Sequence, residues 1–162
     1  MTKRKRTPAS PEDFGTPETR RKVRACVVSE YVHRGQLRPH HDVAAGELRM
    51  VWHALQRGLF CGCAGFEPSI GGSGFVDPID RMTEYERGCW ERHFGPWMTW
   101  AGRRQVGSTT MADVVMAVVV DNERVRELEG RLRLGHGRVM RALRTGLDHY
   151  AEIAGMATRK AA

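Results

Sequence analysis

The chain has 162 residues, a length typical of one domain, and carries a formal net charge of +7. Its 41% hydrophobic and 28% charged residues exclude a wholly disordered chain. No apolar run approaches the ~20 residues that cross a bilayer, and the charged, proline-rich start is not a secretory signal. We therefore expect a cytoplasmic protein with no membrane partner, whose basic excess points first to nucleic acid.

The basic excess is concentrated at the start of the chain. Residues 1–25 hold eight basic and three acidic side chains, which account for five of the seven net positive charges. Segment 7–20 has three prolines and one large apolar residue, so burial cannot offset the entropy lost on ordering. We predict a disordered basic arm over 1–20 that contacts phosphates without sequence choice, although a solubilising terminus is an alternative. The basic residues expected to contact phosphate are Lys3, Arg4, Lys5, Arg6, Arg20, Arg21 and Lys22.

A helical N-terminal part is predicted over 21–108. Apolar residues at four-residue spacing predict a helix over 21–33. Asp42 is expected to cap a second helix over about 43–58, and the two helices to form a hairpin. The glycine-rich segment 61–79 is predicted to be a long loop.

Two sequence patterns mark later helix starts. Thr83 and Glu86 form a T-x-x-E capping box that predicts a helix over about 84–94. Thr110 and Asp113 make a second box, before an almost wholly apolar helix over about 111–120. Its β-branched run also suits a buried strand, but the capping signal favours helix. Between the two boxes, 102–107 is predicted to be a polar connector.

The last part of the chain predicts two more helices, over about 123–132 and 136–154, with Asp121 or Asn122 capping the first. The fold class is therefore all-α, a helical bundle. We divide the chain into the arm 1–20, the helical part 21–108, a helix-turn-helix unit over 109–156 and a tail, 157–162.

The helix-turn-helix prediction depends on the order of apolar residues around a short turn. Val125, Leu128 and Leu132 are expected to line the inner face of the first helix of the pair. Leu134 is expected to fill the turn, and Val139 to lie on the inner face of the second helix. This order is what two crossing helices need to bury one stripe each.

The predicted outward face of the second helix is basic. The stretch from Arg133 to Arg144 has four arginines and no acidic residue. Two departures are Glu129, where a small residue usually lets the helices approach, and Arg133, where the turn usually has glycine. A generic helical hairpin with a solvated arginine face is therefore an alternative. The candidate DNA-binding residues are Arg133, His136, Gly137, Arg138, Met140, Arg141 and Arg144, with an approach of phosphate expected at the glycines.

A family resemblance lies in the same segment. Residues 114–156, VVMAVVVDNERVRELEGRLRLGHGRVMRALRTGLDHYAEIAGM, resemble the C-terminal helix-turn-helix of alphaproteobacterial phage and gene-transfer-agent transcription regulators. They also look broadly like the promoter-binding domain (region 4) of sigma factors and like some phage late-gene antiterminators. The resemblance implies binding to double-stranded DNA, to RNA polymerase or to both, and activation of late or particle-production genes. An activator or antiterminator that docks on RNA polymerase, and a small DNA-packaging (terminase) recognition subunit, are the alternatives.

Other chemistry is weakly supported. Cys61 and Cys63 form a C-x-C pair, the weak candidate for a metal site, with His40 and His41 upstream and Cys89 and His93 downstream. Four reduced thiols are the simpler interpretation, so we expect no cofactor. Neither a nucleophile elbow nor a phosphate-binding loop nor a zinc-protease motif is present, so we expect no enzyme and no small-molecule substrate.

Overall fold

The computed structural model describes residues 26–60 and 77–156. The arm 1–20, the pair Cys61 and Cys63, and the tail 157–162 lie outside these ranges. The described chain is mostly helical, which confirms the all-α prediction at this level. In chain order its elements are α1 (Val27–His33), α2 (Pro39–Phe60), a 3-10 turn (Pro78–Arg81), α3 (Glu84–Cys89), a π-helical turn (Trp90–Phe94), α4 (Gly95–Gly102), β1 (Gln105–Val106), β2 (Thr109–Thr110), α5 (Met111–Val119), α6 (Val125–Arg131) and α7 (Arg138–Ile153).

Both predicted capping boxes are present. The backbone N–H of Glu86 donates to the hydroxyl of Thr83 at 3.3 Å, and the N–H of Thr83 donates to the Glu86 carboxylate at 3.0 Å. The same reciprocal pair joins Thr110 and Asp113, at 3.2 and 3.0 Å. Each box satisfies two backbone N–H groups that a helix start leaves without partners, so α3 and α5 begin where the sequence predicts.

The two other predicted caps are wrong. Helix α2 begins at Pro39, so Asp42 lies inside its first turn and accepts a hydrogen bond from the Ser29 hydroxyl at 2.8 Å. Arg124, rather than Asp121 or Asn122, occupies the cap position of α6. Asn122 instead accepts a hydrogen bond from the backbone of Val27, 95 residues away, at 2.8 Å. The side chains of Asp42 and Asn122, which were expected to cap helices, therefore make tertiary hydrogen bonds instead.

The predicted connector over 102–107 contributes half of a small antiparallel hairpin. Strands β1 and β2 pair Gln105 with Thr110 and Val106 with Thr109. Gly107, in the turn, has a positive φ of 70°, and a Cβ atom there would lie 2.4 Å from a methyl carbon of Leu134. The backbone conformation therefore favours glycine, and a side chain at this position would also have to displace the Leu134 methyl group.

Helices α5 and α7 cross at the centre of one hydrophobic core. A Cβ atom on Gly146 of α7 would lie 2.6 Å from a methyl carbon of Val115 on α5, so the absence of a side chain lets the two helices approach. The indole N–H of buried Trp97 donates to the carbonyl of Gly146 at 2.8 Å. Among the largest fully buried side chains are Trp97, Tyr150, Phe94, Leu48, Leu128, Leu143 and Leu147.

Within the described residues, no helix combines the length and the apolar character that crossing a bilayer requires.

Candidate nucleic-acid interface

The candidate interface is built on the helix pair α6 and α7. Three residues predicted for the inner faces of this pair, Val125, Leu128 and Val139, are buried, whereas Leu132 and Leu134 are half-buried. The segment between the helices, 132–137, is six residues long rather than the three or four expected. The packed core of this unit therefore matches the prediction, whereas its turn is longer.

The turn begins at Arg133, which adopts a left-handed backbone conformation with φ of 51°. The N–H of Arg133 donates to the carbonyl of Gly130 at 3.2 Å, and the N–H of Leu134 to that of Glu129 at 2.9 Å. These two bonds make the Schellman ending of an α-helix, in which the left-handed position usually holds glycine. An L-residue with a side chain costs roughly 1–2 kcal/mol in this conformation.

The side chain of Glu129, on α6, contacts the backbone of Gly137, the residue before α7. Its side chain is almost buried, and one carboxylate oxygen accepts the backbone N–H of Gly137 at 2.6 Å. The other oxygen lies 3.4 Å from the imidazole of His136. A carboxylate is well placed at a helix start, where the backbone dipoles favour negative charge. The predicted approach of phosphate to the N–H of Gly137 does not fit this geometry, because Glu129 already accepts that N–H.

The arginines of α7 lie on an exposed ridge between two grooves. Arg138 and Arg141 line a shallow groove of about 230 Å³ beside the hairpin. On the other side, Arg144, Met140 and Gly137 line a groove of about 450 Å³ that opens toward α1. The predicted residues of α7 therefore share one surface but face two concavities.

Individual side chains at the ridge differ in how firmly they are held. The imidazole of His136, at the mouth of the larger groove, is 88% exposed. Met140 is half-buried. The Nε–H of Arg144 donates to the carbonyl of Gln36 at 2.9 Å, which ties this side chain to the segment after α1. The guanidinium of Arg144 is thereby oriented by the body of the domain, and a large part of it still faces solvent.

Two further arginines, which the sequence analysis missed, line the larger groove. Arg124 and Arg126 flank buried Val125 at the start of α6, and both are exposed. Their alternation with a buried valine indicates that both point away from the core. Only the packing of α6 against α7 shows that they share a groove with Arg144.

Arg131 differs from these arginines because it forms an ion pair with a carboxylate. Arg131 forms a two-pronged ion pair with Glu123, with nitrogen–oxygen distances of 3.0 and 2.7 Å. Among the described residues, none of the ridge and groove arginines named above has a carboxylate within ion-pair distance. The arginines without such a partner are Arg124, Arg126, Arg133, Arg138, Arg141 and Arg144. These six guanidinium groups are therefore not neutralised by an ion pair within the described residues, although Glu30 and Glu129 also line the larger groove.

The metal-ligand candidates fall into two separate clusters. His40 and His41 meet Asp148 of α7, whereas Cys89 and His93 meet a different carboxylate, on α2. The sequence placed all four near the C-x-C pair, which lies outside the described residues, as do the predicted phosphate-contacting residues of the arm. The structure thus divides the candidate metal ligands between two places and supplies each with an acidic partner that was not predicted.

No protein-family model, curated protein or solved structure matches this chain. No relative therefore supplies a role for any residue, and the roles proposed below depend on the contacts just described.

Proposed function

We propose that this protein is a DNA-binding transcription regulator of the phage and gene-transfer-agent type, and that α6 and α7 act as its helix-turn-helix. In this proposal α7 enters the major groove and the protein activates late or particle-production genes at their promoters. The observation that carries the proposal is the group of arginines around α7 without carboxylate partners among the described residues. A face of this kind attracts a polyanion and leaves the guanidinium groups available to it.

The dimensions of α7 suit a major groove. The groove of B-DNA is about 12 Å wide and admits one α-helix. From Arg138 to Arg144 the helix rises about 9 Å, the length of two to three base steps. Arg138 and Arg141, on one side of the ridge, are the proposed contacts to guanine edges, because a guanidinium pairs with O6 and N7 of guanine through two hydrogen bonds.

The remaining arginines are proposed to contact phosphates. Arg124, Arg126 and Arg144 converge on the larger groove from two helices, which is an arrangement that grips a backbone rather than one base. Arg144 is also held by the carbonyl of Gln36, so its orientation costs little on binding. Phosphate contacts of this kind fix the register of α7 and add affinity that depends on salt.

The strained backbone of Arg133 supports a functional role for its side chain. Glycine at this position would avoid the cost of the left-handed conformation. A residue kept in a strained conformation suggests a use for its side chain, and here the side chain extends from the turn that leads to α7. We therefore include Arg133 in the proposed DNA contacts.

The first experiment identifies the DNA and then tests the two proposed base contacts. Genome-wide DNA co-precipitation is expected to recover one or a few promoters. On a recovered fragment, Arg138→Ala with Arg141→Ala is expected to weaken binding at least thirtyfold, because each base contact contributes roughly 1–3 kcal/mol. Fluorescence anisotropy with a random duplex as competitor measures this change.

The matched control removes two exposed arginines outside α6 and α7 and outside the two grooves, Arg81→Ala with Arg92→Ala. An equal loss in both double variants would show that net charge alone governs binding and would contradict a base-contacting role. Recovery of no enriched DNA at all would overturn the proposal. Recovery of a single packaging site, with a ring-sized oligomer by light scattering, would favour a DNA-packaging recognition subunit instead.

A second candidate is an activator or antiterminator that docks on RNA polymerase. The observation that favours it is the carboxylate of Glu129 at the start of α7, together with the six-residue segment before that helix. A negative charge at this point opposes the approach of a phosphate but not that of a basic protein surface. A pull-down with purified polymerase in the presence of nuclease tests it, and the absence of any retained subunit would contradict it.

A further inference from the structure

A thiol, an imidazole and a carboxylate meet beside α7, on the side of the domain built by α2 and α3. They belong to Cys89 at the end of α3, His93 in the π-helical turn and Glu47 of α2. Their potential ligand atoms all lie within 4.8 Å of one another. Sulfur, imidazole nitrogen and carboxylate oxygen are the donors that zinc prefers in proteins.

Glu47 is the centre of this cluster. One of its carboxylate oxygens lies 2.7 Å from Nδ1 of His93 and accepts the hydroxyl of buried Tyr150 at 2.8 Å. The side chain of Glu47 is only 10% exposed, and Cys89 is 3% exposed. A nearly buried carboxylate so close to a thiol and an imidazole offers the charge and the ligands that a divalent cation requires.

The spacing of the three ligand atoms can be compared with that of a tetrahedral zinc site. Tetrahedral zinc with bonds of about 2.0–2.3 Å places its ligand atoms roughly 3.3–3.6 Å apart. In the cluster, Nδ1 of His93 and the Glu47 oxygen are 2.7 Å apart, and all three ligand atoms lie within 4.8 Å of one another. They belong to three elements of the same packed domain. The wider π-helical turn carries His93, and such insertions occur often at functional sites.

Charge balance also suits a zinc ion. A thiolate from Cys89 and the carboxylate of Glu47 together supply two negative charges, which neutralise Zn²⁺ in a site with little water. Coordination releases the thiol proton to solvent. The imidazole proton of His93 moves from Nδ1 to Nε2, so that the lone pair of Nδ1 can bind the ion beside Glu47. Three protein ligands leave the fourth tetrahedral position for water.

The second cluster, His40, His41 and Asp148, does not offer the same donors. The backbone N–H of Arg38 donates to Nδ1 of His41 at 3.1 Å, so the proton of this imidazole lies on Nε2. That Nε2–H donates to Asp148 at 2.7 Å and has no lone pair for a metal. This second cluster, which also places histidine close to a carboxylate, therefore serves as a negative control for metal binding.

We propose that Glu47, Cys89 and His93 form a binding site for zinc, separate from the DNA interface. On sequence alone, Cys89 and His93 stand beside the C-x-C candidate, but no cofactor is expected and Glu47 is not identified. A bound ion would join α2 to the π-helical turn and, through Tyr150, support the end of α7.

The test uses the full-length protein, stripped of metal and titrated with Co²⁺ as the spectroscopic probe for zinc. We expect one equivalent of Co²⁺ to give the thiolate charge-transfer band and the visible bands of a tetrahedral site, and Zn²⁺ to displace it. The chain has four cysteines, so the variant with Cys26, Cys61 and Cys63 all replaced by serine keeps Cys89 as its only thiol. This variant is expected to retain the band.

Variants of the ligands complete the test. Cys89→Ser is expected to lose the thiolate band, and His93→Gln to weaken zinc binding at least tenfold with an unchanged circular dichroism spectrum. His40→Ala is the matched control and is expected to bind Co²⁺ like the unmodified protein. No thiolate band in the unmodified protein, or a band lost when only Cys61 and Cys63 are replaced, would overturn the proposal.

Discussion

The side chain of Glu129 and the backbone of Gly137 are joined by a hydrogen bond of 2.6 Å, which ties the end of α6 to the start of α7. This bond spans the whole segment between the two helices. It explains how a six-residue connection stays ordered, and why a bulky acidic residue occupies a position where a small one was expected. One carboxylate therefore helps to hold the start of α7 against α6.

Two substitutions of Glu129 distinguish the effect of its hydrogen bond from the effect of its negative charge. Glu129→Ala leaves the N–H of Gly137 without its acceptor and is expected to lower the free energy of unfolding by about 1–2 kcal/mol. Glu129→Gln keeps an acceptor oxygen and should lose less, while binding random DNA more tightly because a negative charge is removed. Denaturant unfolding and anisotropy measure the two effects. Equal destabilisation by both variants would show that the charge, rather than the acceptor, stabilises the turn.

Substitutions of Arg133 test whether its strained left-handed backbone conformation is retained because its side chain has a function. Arg133→Gly is expected to raise the free energy of unfolding by several tenths of a kcal/mol or more, because glycine adopts a positive φ without steric cost. The same variant should bind promoter DNA more weakly. Arg133→Ala is the control, since it removes the guanidinium but keeps the strain. A glycine variant that binds DNA like the unmodified protein would remove Arg133 from the interface.

Arg126 is expected to behave as a phosphate contact. Arg126→Ala should weaken binding by a similar factor on specific and random duplexes, and should reduce the slope of log K against log salt by about 1. Arg131→Ala is the control on the same helix, because Glu123 already pairs with Arg131. Its slope should change little. A larger effect on one DNA sequence than on others would assign Arg126 to base contacts instead.

Two glycines on α6 and α7 are expected to respond in opposite directions to alanine. Gly146→Ala places a methyl group 2.6 Å from Val115 and should lower the free energy of unfolding by about 1–3 kcal/mol. Gly130→Ala enters open space within a helix and should raise it by about 0.5–1 kcal/mol. Thermal unfolding of both variants tests the close approach of α5 and α7. A stabilising Gly146→Ala would contradict that approach.

The cluster of His41 and Asp148 predicts loss of stability in mild acid. Burial lowers the pKa of His41 despite its hydrogen bond to Asp148, so the unfolded chain takes up a proton at a higher pH than the folded one. The free energy of unfolding should therefore fall as the pH drops below about 6.5. Chemical denaturation over a pH series measures this.

His41→Gln is expected to flatten that profile, whereas the exposed control His53→Gln should leave it unchanged. At lower pH a second loss follows. Burial opposes ionisation of Asp148, but the hydrogen bonds from His41 and His40 outweigh it and hold the pKa of this carboxyl below its usual value. Its contribution is present above about pH 3.9 and disappears as the pH falls through the folded-state pKa. Stability that stays level down to pH 5 would contradict the role of His41.

Local physics explains what the sequence by itself determined. A capping box joins residues three apart, so Thr83 with Glu86 and Thr110 with Asp113 place two helix starts without knowledge of the rest of the fold. Apolar spacing likewise identified Leu128 among the inner residues of the last helix pair. The basic character of α7 was also evident, because arginines three apart stay on the outside of a half-buried helix.

The tertiary structure decided every feature that joins distant parts of the chain. Asn122 bonds to Val27 across 95 residues instead of capping α6, because a buried backbone N–H needs a partner wherever packing places it. The groove shared by Arg126 and Arg144 exists only when α6 packs against α7. Which arginines lack a carboxylate partner depends on where the carboxylates lie in three dimensions. The spacing of residues along the chain does not contain that information.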